Sequence, residues 1–435
     1  MVNKIVEFMK EYDKRERENS LLNPEFKKVL DLLENTNHSY FVTGKAGTGK
    51  STLLKFFKDT TKKKAVVLAP TGLSALNVDG QTIHSFFKFP PRIINDKDIK
   101  KVNSRIYEEL NCLIIDEVSM VRADLMDGID KFLRKNRNNS RPFGGVQVLF
   151  FGDLFQLPPV TNEETEILNF TYETPYFFSA KAVLDADLKL VELENVYRQQ
   201  EKDFIQLLDN IRKGNNVSGS LAEINKRVVN DFVPDNDCVI LTPTNYNADM
   251  INNQRLSRLP GSEKNYLASA EGSLKNQKHN LPVNTVLKLK TGARVIFTRN
   301  DSGGSWVNGT LGTIIELDRD VITVKLDKGG SVFVERVVWE KVKYSYNEKN
   351  DKIVTETTGK LVQFPLKLAW ALTIHKSQGQ TFEKVFIDMN TGAFAHGQTY
   401  VALSRCRTLN GIILKKPISI NDVIIDKVVA DFFKK

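Results

Sequence analysis

Tyr40-Phe41-Val42-Thr43-Gly44-Lys45-Ala46-Gly47-Thr48-Gly49-Lys50-Ser51-Thr52 is the stretch from which the fold can be read. Residues 40–43 are aromatic or β-branched, as in a short buried strand. From Gly44 to Ser51 the chain fits G-x-x-x-x-G-K-[ST] at every fixed position. Leu53, Leu54, Phe56 and Phe57 then give the following helix an apolar face. Strand, glycine-rich turn and helix in that order make a phosphate cradle. The glycines let the N–H groups around Gly47, Thr48 and Gly49 turn inward toward the β- and γ-phosphates, and the helix N-terminus adds partial positive charge. Lys50 reaches the same phosphates, Ser51 ligates Mg²⁺, and Thr52 opens the helix beside it. A nucleoside triphosphate, ATP or GTP, is the expected ligand. Far downstream stands Ser404-Arg405-Cys406-Arg407, with Arg198 between the two stretches. A cradle in one lobe and arginines in another predict a nucleotide held in a cleft that hydrolysis opens and closes.

The chain has 435 residues, too many for one core, so two or more domains are expected. Hydrophobic content of 41% and charged content of 26% are those of an ordinary globular protein. A net charge of +9 favours polyanionic partners. Cys112, Cys238 and Cys406 lie far apart with no C-x-x-C pair, which argues against a disulfide framework or a zinc site and for a reducing, cytoplasmic setting. Lys4, Glu7 and Lys10 break up the N-terminus, and no run is long enough to span a bilayer, so neither a signal peptide nor a membrane partner is expected.

Outward from the cradle, a helix is predicted just before it: Asn23 caps it, Pro24 suits its first position, and Phe26, Val29, Leu30 and Leu33 share one face. Strand-like runs at 40–43, 65–69, 113–115 and 146–151 alternate with helical ones. This predicts an α/β domain over 1–185 built on a parallel sheet. Residues 80–105, with Pro90-Pro91 and several lysines, read as a small excursion from it. A second alternating set, at 188–193, 239–241 and 385–387, predicts a second α/β domain over 186–285 and 365–435. It is interrupted by short antiparallel strands at 293–298, 310–317, 321–326, 332–338 and 354–362. Gly303-Gly304 and Gly329-Gly330 punctuate them, which predicts a small β-barrel inserted over 286–364.

Leu113-Ile114-Ile115-Asp116-Glu117 is an apolar strand ending in two carboxylates. Asp116 can hold Mg²⁺ through its coordinated water, and Glu117 can take a proton from the attacking water. Gly152-Asp153-Leu154-Phe155-Gln156-Leu157-Pro158-Pro159 follows another strand. On that stiffened loop the Gln156 amide can bond a γ-phosphate and pass the difference between ATP and ADP onward.

Gly-Asp-x-x-Gln-Leu-Pro-Pro resembles motif III of superfamily-one helicases that move 5′ to 3′. Ala69-Pro70-Thr71-Gly72, Gly80-Gln81-Thr82-Ile83-His84-Ser85-Phe86-Phe87 and the stretch from Glu201 to Gly214 resemble the petite-integration-frequency (Pif-type) helicase family. Thr373-Ile374-His375-Lys376-Ser377-Gln378-Gly379-Gln380-Thr381 and Tyr400-Val401-Ala402-Leu403-Ser404-Arg405 are similar to its motifs V and VI. The matches run in order over nearly the whole chain. The resemblance implies two RecA-like domains, a Src-homology-type inserted barrel that grips DNA, and an ATP-dependent helicase translocating on single-stranded DNA. It implies Arg198 and Arg405 as arginine fingers, with Gly379 and Gln380 approaching the γ-phosphate. It implies a DNA track along Thr71, His84, Ser85, Phe86 and Pro158 in the first lobe and Thr242, Thr244, Asn245, His375 and Lys376 in the second. Residues 87–101 are then the wedge that splits a duplex. A monomer acting on single-stranded, forked or structured DNA, in DNA repair or telomere maintenance, belongs to the same implication.

One departure stands out. The family places a base-reading glutamine in a Leu-x-x-Glu-Gln pattern before the cradle, whereas Leu22-Asn23-Pro24-Glu25 here runs into Phe26. Weaker discrimination between ATP and GTP is expected. The absence of long extensions suggests a compact bacterial or phage type. A RecD-like or phage Dda-like helicase is the nearer alternative, and the 201–214 stretch argues against it. A P-loop switch that does not translocate is the alternative of another class, and DNA stimulation of ATPase separates the two. A small-molecule kinase would have no need of Arg405.

Overall fold

The computed structural model describes residues 23–159, 168, 170–235, 237–275, 281–390 and 392–434. Its first lobe is built on six parallel strands: β1 (Tyr40–Gly44), β2 (Ala65–Ala69), β3 (Gln81–Thr82), β4 (Cys112–Ile115), β5 (Gln147–Phe151) and β6 (Lys189–Leu193). They lie in the order β3-β2-β4-β5-β1-β6. Strand alternation separates two cores. Phe41, Val66, Leu68, Leu113, Ile115, Val148 and Phe150 face one side, and Tyr40, Val42, Val67, Cys112, Ile114, Leu149 and Phe151 face the other. Helix α1 (Pro24–Asn35) starts as the sequence predicts, the Asn23 side chain accepting from the Glu25 N–H at 2.8 Å. Helix α2 (Lys50–Thr60) follows the cradle and buries Leu53, Leu54 and Phe57.

Residues 80–105 are not a free excursion. After β3, α3 (Ile83–Phe87) puts Phe86 and Phe87 in the core, and Phe89 and Ile99 join them. The rest is strapped to α4 (Ala123–Arg137): Asp124 accepts from the Ile94 N–H at 2.9 Å, and Asn136 accepts from the Val102 N–H at 2.6 Å.

The second lobe holds four parallel strands, β7 (Val239–Thr242), β18 (Ala371–Thr373), β19 (Val385–Ile387) and β20 (Ile412–Leu414), ordered β18-β7-β19-β20. Helices α5 (Lys202–Lys213), α6 (Asn245–Arg258) and α7 (Gln398–Leu403) flank them. Between β7 and β18 comes the inserted unit. Strands β11 (Arg294–Phe297), β12 (Leu311–Leu317), β13 (Ile322–Leu326), β14 (Ser331–Val334) and β17 (Leu366–Leu368) form one antiparallel sheet. With the pair β8 (Lys264–Leu267) and β10 (Val286–Leu289) it surrounds one core containing Leu287, Val295, Phe297, Trp306 and Phe364. Strand β9 (Ser269–Gly272) pairs with a long hairpin, β15 (Val337–Asn347) and β16 (Lys352–Gln363).

Three boundaries differ from the sequence reading. Strand β6, assigned above to the second domain, pairs in parallel with β1 over five residues and is the edge of the first sheet. The inserted unit begins at β8 and not at 286, because β8 supplies the partner of β10. The C-terminal helix α8 (Lys427–Phe432) returns to the first lobe, where Phe432 and Phe433 pack on Phe178 and Phe155. Period alone reveals a strand but not which sheet it joins.

Candidate active site

Adjacent strands β4, β5 and β1 deliver the first lobe's chemistry to one edge, since parallel strands all end on the same side. After β1 the cradle turns through Gly47 and Gly49, at φ 86° and 83°. Those conformations favour glycine, and so does the space: a Cβ at Gly49 would lie 2.8 Å from the Phe26 ring, and one at Gly47 would collide with Arg198. Thr48 is buried. Lys50 donates to the Gly44 and Lys45 carbonyls at 2.7 and 3.0 Å. Burial pushes its ammonium down to about 8, against the opposing pull of Asp153.

Asp116 and Glu117 follow β4 directly. Burial, with Glu117 next to it, raises the Asp116 carboxyl to about 7; burial also raises Glu117, opposed by the charges of Lys50 and Arg405. Glu117 holds φ 49° and ψ 44°, left-handed backbone that a non-glycine residue adopts at a cost of about 1 kcal/mol or more. After β5, Gln156 is buried and its amide donates to Asp153 at 3.2 Å. The next residue, Leu157, packs in the second lobe's core, so this loop crosses the cleft.

From the other side, the crossover after β6 carries the Tyr197 N–H to the Gly47 carbonyl at 2.9 Å and sets Arg198 over the cradle. Arg198 donates to the Ser404 and Gly379 carbonyls at 3.3 and 3.4 Å. Arg405, at the end of α7, is 1% exposed and donates to the Val401 carbonyl at 2.8 Å and the Ser404 hydroxyl at 2.8 Å. Burial, then the Arg198 charge, press the Arg405 guanidinium well below its ordinary value. A guanidinium keeps its proton, so that pressure is an unfavourable energy that a polyphosphate relieves. Beside them the Gln378 amide nitrogen and Gln380 amide oxygen are shielded from water without a hydrogen-bond partner. Lys50, Asp116, Glu117, Gln156, Arg198, Arg405, Gly379 and Gln380 thus surround one cleft.

The sequence reading missed the ion pair that knits this cleft. Arg212 on α5 meets Asp153 at 2.9 Å, both fully buried, and its guanidinium lies 4.4 Å from the Phe155 ring centre. Burial, the largest single influence, would raise Asp153, but the charges of Arg212 and Lys50 and the hydrogen bonds from Arg212 and Gln156 together outweigh it and hold the carboxyl low. Tyr400 on α7 accepts from the cradle's Ala46 N–H at 2.8 Å. Both residues sit inside motifs quoted above. No spacing rule signals that they meet.

Ser51, Thr52, Asp116 and Glu117 open into a cavity of 860 Å³ between the lobes. Thr71, Thr244, Asn245, His375, Lys376, Gly379 and Gln380 line it too. Thr71 and Thr244 are matching N-caps, accepting from the Ser74 and Asn247 N–H groups. Ser51 and Asp116 fit Mg²⁺, which takes one or two hard protein oxygens and completes its shell with phosphate and water. The other track assignments fare differently. Phe86 is 4% exposed, edge-on to Phe87, Tyr107 and Tyr344, and presents no face to a base. Thr242 is buried in β7 and presents nothing either. Ser85 faces a separate cavity of 510 Å³ beneath the long hairpin. His84 and Pro158 are half-buried outside the inter-lobe cavity. Asn23 is committed to its cap and to the Tyr197 hydroxyl, and Phe26 is fully buried.

Two parallel-sheet lobes, a phosphate cradle on one and arginines returning from the other define an ATP-driven motor of the helicase class. The PIF1-like helicase description matches residues 21–220, and the UvrD-like helicase C-terminal domain matches residues 368–413. The ATP-dependent DNA helicase Pif1 of Bdellovibrio bacteriovorus is 32% identical, covering 95% of this chain and 92% of its own. Bacteroides sp. Pif1 with ADP-AlF4 is 39% identical, covers 95% of this chain and 96% of its own, and superposes with a TM-score of 0.88. Bacteroides Pif1 bound to ssDNA, with the same coverage and identity, gives 0.68. The chain belongs to the PIF1-like helicases and is an ATP-dependent DNA helicase with two RecA-like lobes and an inserted Src-homology-type barrel. No helix among the described residues is long and apolar enough to cross a membrane.

Proposed function

We propose that this helicase moves 5′ to 3′ along single-stranded DNA lying across the carboxyl edges of both sheets, one closure of the cleft per ATP. The supporting observation is a single inter-lobe cavity that joins the cradle's Ser51, Asp116 and Glu117 to Thr71, Thr244, Asn245, His375 and Lys376. Hydroxyls, amides and one lysine suit phosphate contact without base readout. Lys50, Gly47, Thr48 and Gly49 hold the β- and γ-phosphates, while Gly379 and Gln380 approach from the second lobe. Mg²⁺ held by Ser51 and Asp116 would neutralise charge on the β- and γ-oxygens. Glu117 accepts a proton from the water whose oxygen attacks the γ-phosphorus. The bond to the β–γ bridging oxygen breaks, and ADP leaves with that oxygen. Arg198 and Arg405 stabilise the charge spreading over the transferred group. Gln156 registers its loss, and Leu157 carries the change into the second lobe's core.

Residues 87–101 are proposed as the duplex wedge and the inserted barrel as a second grip on DNA. A monomer in solution and a cytoplasmic setting complete the reading; the three cysteines are free and buried. Unwinding of matched duplexes carrying only a 5′ or only a 3′ tail tests the polarity. Activity on the 5′-tailed duplex alone is expected, and preference for the 3′ tail overturns it.

A further inference from the structure

His396 lies away from the phosphate cradle, yet it is 6% exposed and both of its ring nitrogens are engaged. Nδ1 accepts from the Asp426 N–H at 2.9 Å, which leaves the ring proton on Nε2. Nε2 donates to the Leu154 carbonyl at 2.9 Å. Both partners are anchored in the first lobe. Leu154 is on the loop after β5, two residues before Gln156. Asp426 caps α8, accepting from the Val428 N–H at 3.0 Å. That helix buries Val429 in the first lobe's core and stacks Phe432 on Phe178 with ring centres 4.5 Å apart. His396 itself belongs to the second lobe, on the segment between β19 and α7. The approach is close: a Cβ at the following Gly397 would lie 2.2 Å from the Phe155 carbonyl oxygen.

Helix α7 carries this contact toward the phosphates. Its six residues span about 9 Å and lead into Ser404 and Arg405. Tyr400, one turn beyond His396, accepts from the cradle's Ala46 N–H at 2.8 Å. Ties at His396 and Tyr400 hold the helix at two points, and two points set the direction in which it delivers Arg405. The same imidazole fixes the backbone of the loop that delivers Gln156. Buried histidines are commonly satisfied core groups and nothing more. This one joins the two segments that bring a sensor and an arginine to the same cleft.

We propose that His396 is a positioning residue for ATP hydrolysis: its imidazole locks the Gln156 loop to the start of α7, so that Gln156 and Arg405 reach the γ-phosphate in register. This rests on the roles proposed for Gln156 and Arg405. Misplacing a group by about 1 Å can cost about 10²-fold in rate, even when the altered residue is far from the reacting atoms.

The test is steady-state ATPase of the full chain with saturating oligo(dT), read as kcat and KM for ATP, beside thermal melts. Glutamine places its amide nitrogen near the position of Nε2, and asparagine places its amide oxygen near that of Nδ1. His396→Gln therefore keeps the tie to Leu154, and His396→Asn keeps only the tie to Asp426. His396→Ala and His396→Asn are expected to lower kcat about tenfold or more while KM changes less than about twofold. His396→Gln recovers most of the loss. Equal kcat in the glutamine and asparagine variants, or a loss of kcat that merely follows Tm, reduces the histidine to packing and overturns the proposal. Arg405→Ala tests the underlying roles separately. If kcat is lost in Arg405→Ala but kept in His396→Ala, the positioning role alone is wrong. If Arg405→Ala keeps its kcat, the reading of the cleft fails and the proposal with it.

Discussion

Glu117, the proposed base, sits in backbone that few glutamates adopt, φ 49° and ψ 44°. Left-handed backbone turns its carboxylate off the strand direction toward the cleft, where Lys50 and Arg405 are its opposing charges. Glu117→Gln keeps the shape and removes the base. ATP hydrolysis is expected to fall by about 10²–10⁴-fold while nucleotide binding, followed with a fluorescent analogue, persists; loss of binding would reassign the residue to the cradle. Its neighbour gives a pH prediction. The Asp116 carboxyl rises from an ordinary 3.8 to about 7 in the fold, burial being the largest cause. The folded state therefore holds that proton more tightly than the unfolded chain. Ionisation penalises the fold increasingly between about pH 4 and pH 7, and fully above pH 7. Without nucleotide or metal, Asp116→Asn should raise Tm by about 2 °C or more at pH 8 and leave it unchanged near pH 4. An equal shift at both values would assign the effect to packing. That Lys50, Asp116, Gln156 and Arg405 come to one cleft was legible in the sequence because each is tied to a strand or helix end by fixed spacing. Phe86 and Thr242 were misread because exposure is decided by what packs on top, here Tyr107 and Tyr344 for Phe86.

Helix α5 shows what element-scale reading adds. Its apolar residues Phe204, Leu208 and Ile211 form a buried face, and Arg212 is as buried as they are. A sequence pattern assigns an arginine to solvent, and only the approach of the β5 loop explains this one. Asp153 and Arg212 face each other across the lobes, with Phe155 stacked between the guanidinium and Phe433, just after the C-terminal helix. Taking away one partner leaves the other charge buried. Arg212→Ala should therefore cost about 3–5 kcal/mol of stability, and Asp153→Asn with Arg212→Met together distinctly less. Denaturant melts of Arg212→Met, Asp153→Asn and the double variant measure the coupling. Strictly additive losses would show that the two charges do not interact. Strand β6 failed at the same scale. Lys189 and Leu190 are exposed, as befits an edge strand, and a half-exposed run looks alike in either lobe.

The whole molecule is tied by contacts that no local pattern contains. The hairpin of β15 and β16 leaves the inserted unit and lies on the first lobe, where Tyr344 is buried. Its hydroxyl accepts from the Val67 N–H at 3.1 Å, and its own N–H donates to the Gln81 amide oxygen at 3.2 Å. Around it, Lys64 pairs with Asp351 at 2.6 Å and Arg105 with Glu348 at 3.2 Å. Those ion pairs are solvent-exposed, so salt screens them and their contribution is small. The buried tyrosine dominates. Of two Bacteroides Pif1 structures, the one with ADP-AlF4 matches this arrangement at a TM-score of 0.88 and the ssDNA-bound one at 0.68. The parts of that relative are thus arranged differently in the two. A hairpin with one fully buried aromatic anchor, and only the half-buried Tyr346 and Ile353 packed beside it, suits such a rearrangement, because few buried contacts need to be given up. If docked and undocked forms exchange, apparent DNA affinity is scaled by the competent fraction. Tyr344→Ala should then lower energy transfer between dyes at Lys62 and Lys349 in the free protein. It should also tighten binding of single-stranded DNA or leave it unchanged. The pair of changes Glu348→Ala and Asp351→Ala should do far less, and the gap should narrow further at high salt. Energy transfer in Tyr344→Ala equal to that of the wild type would mean that the hairpin is held elsewhere, and weakened DNA binding would mean that its docked position belongs to the grip itself.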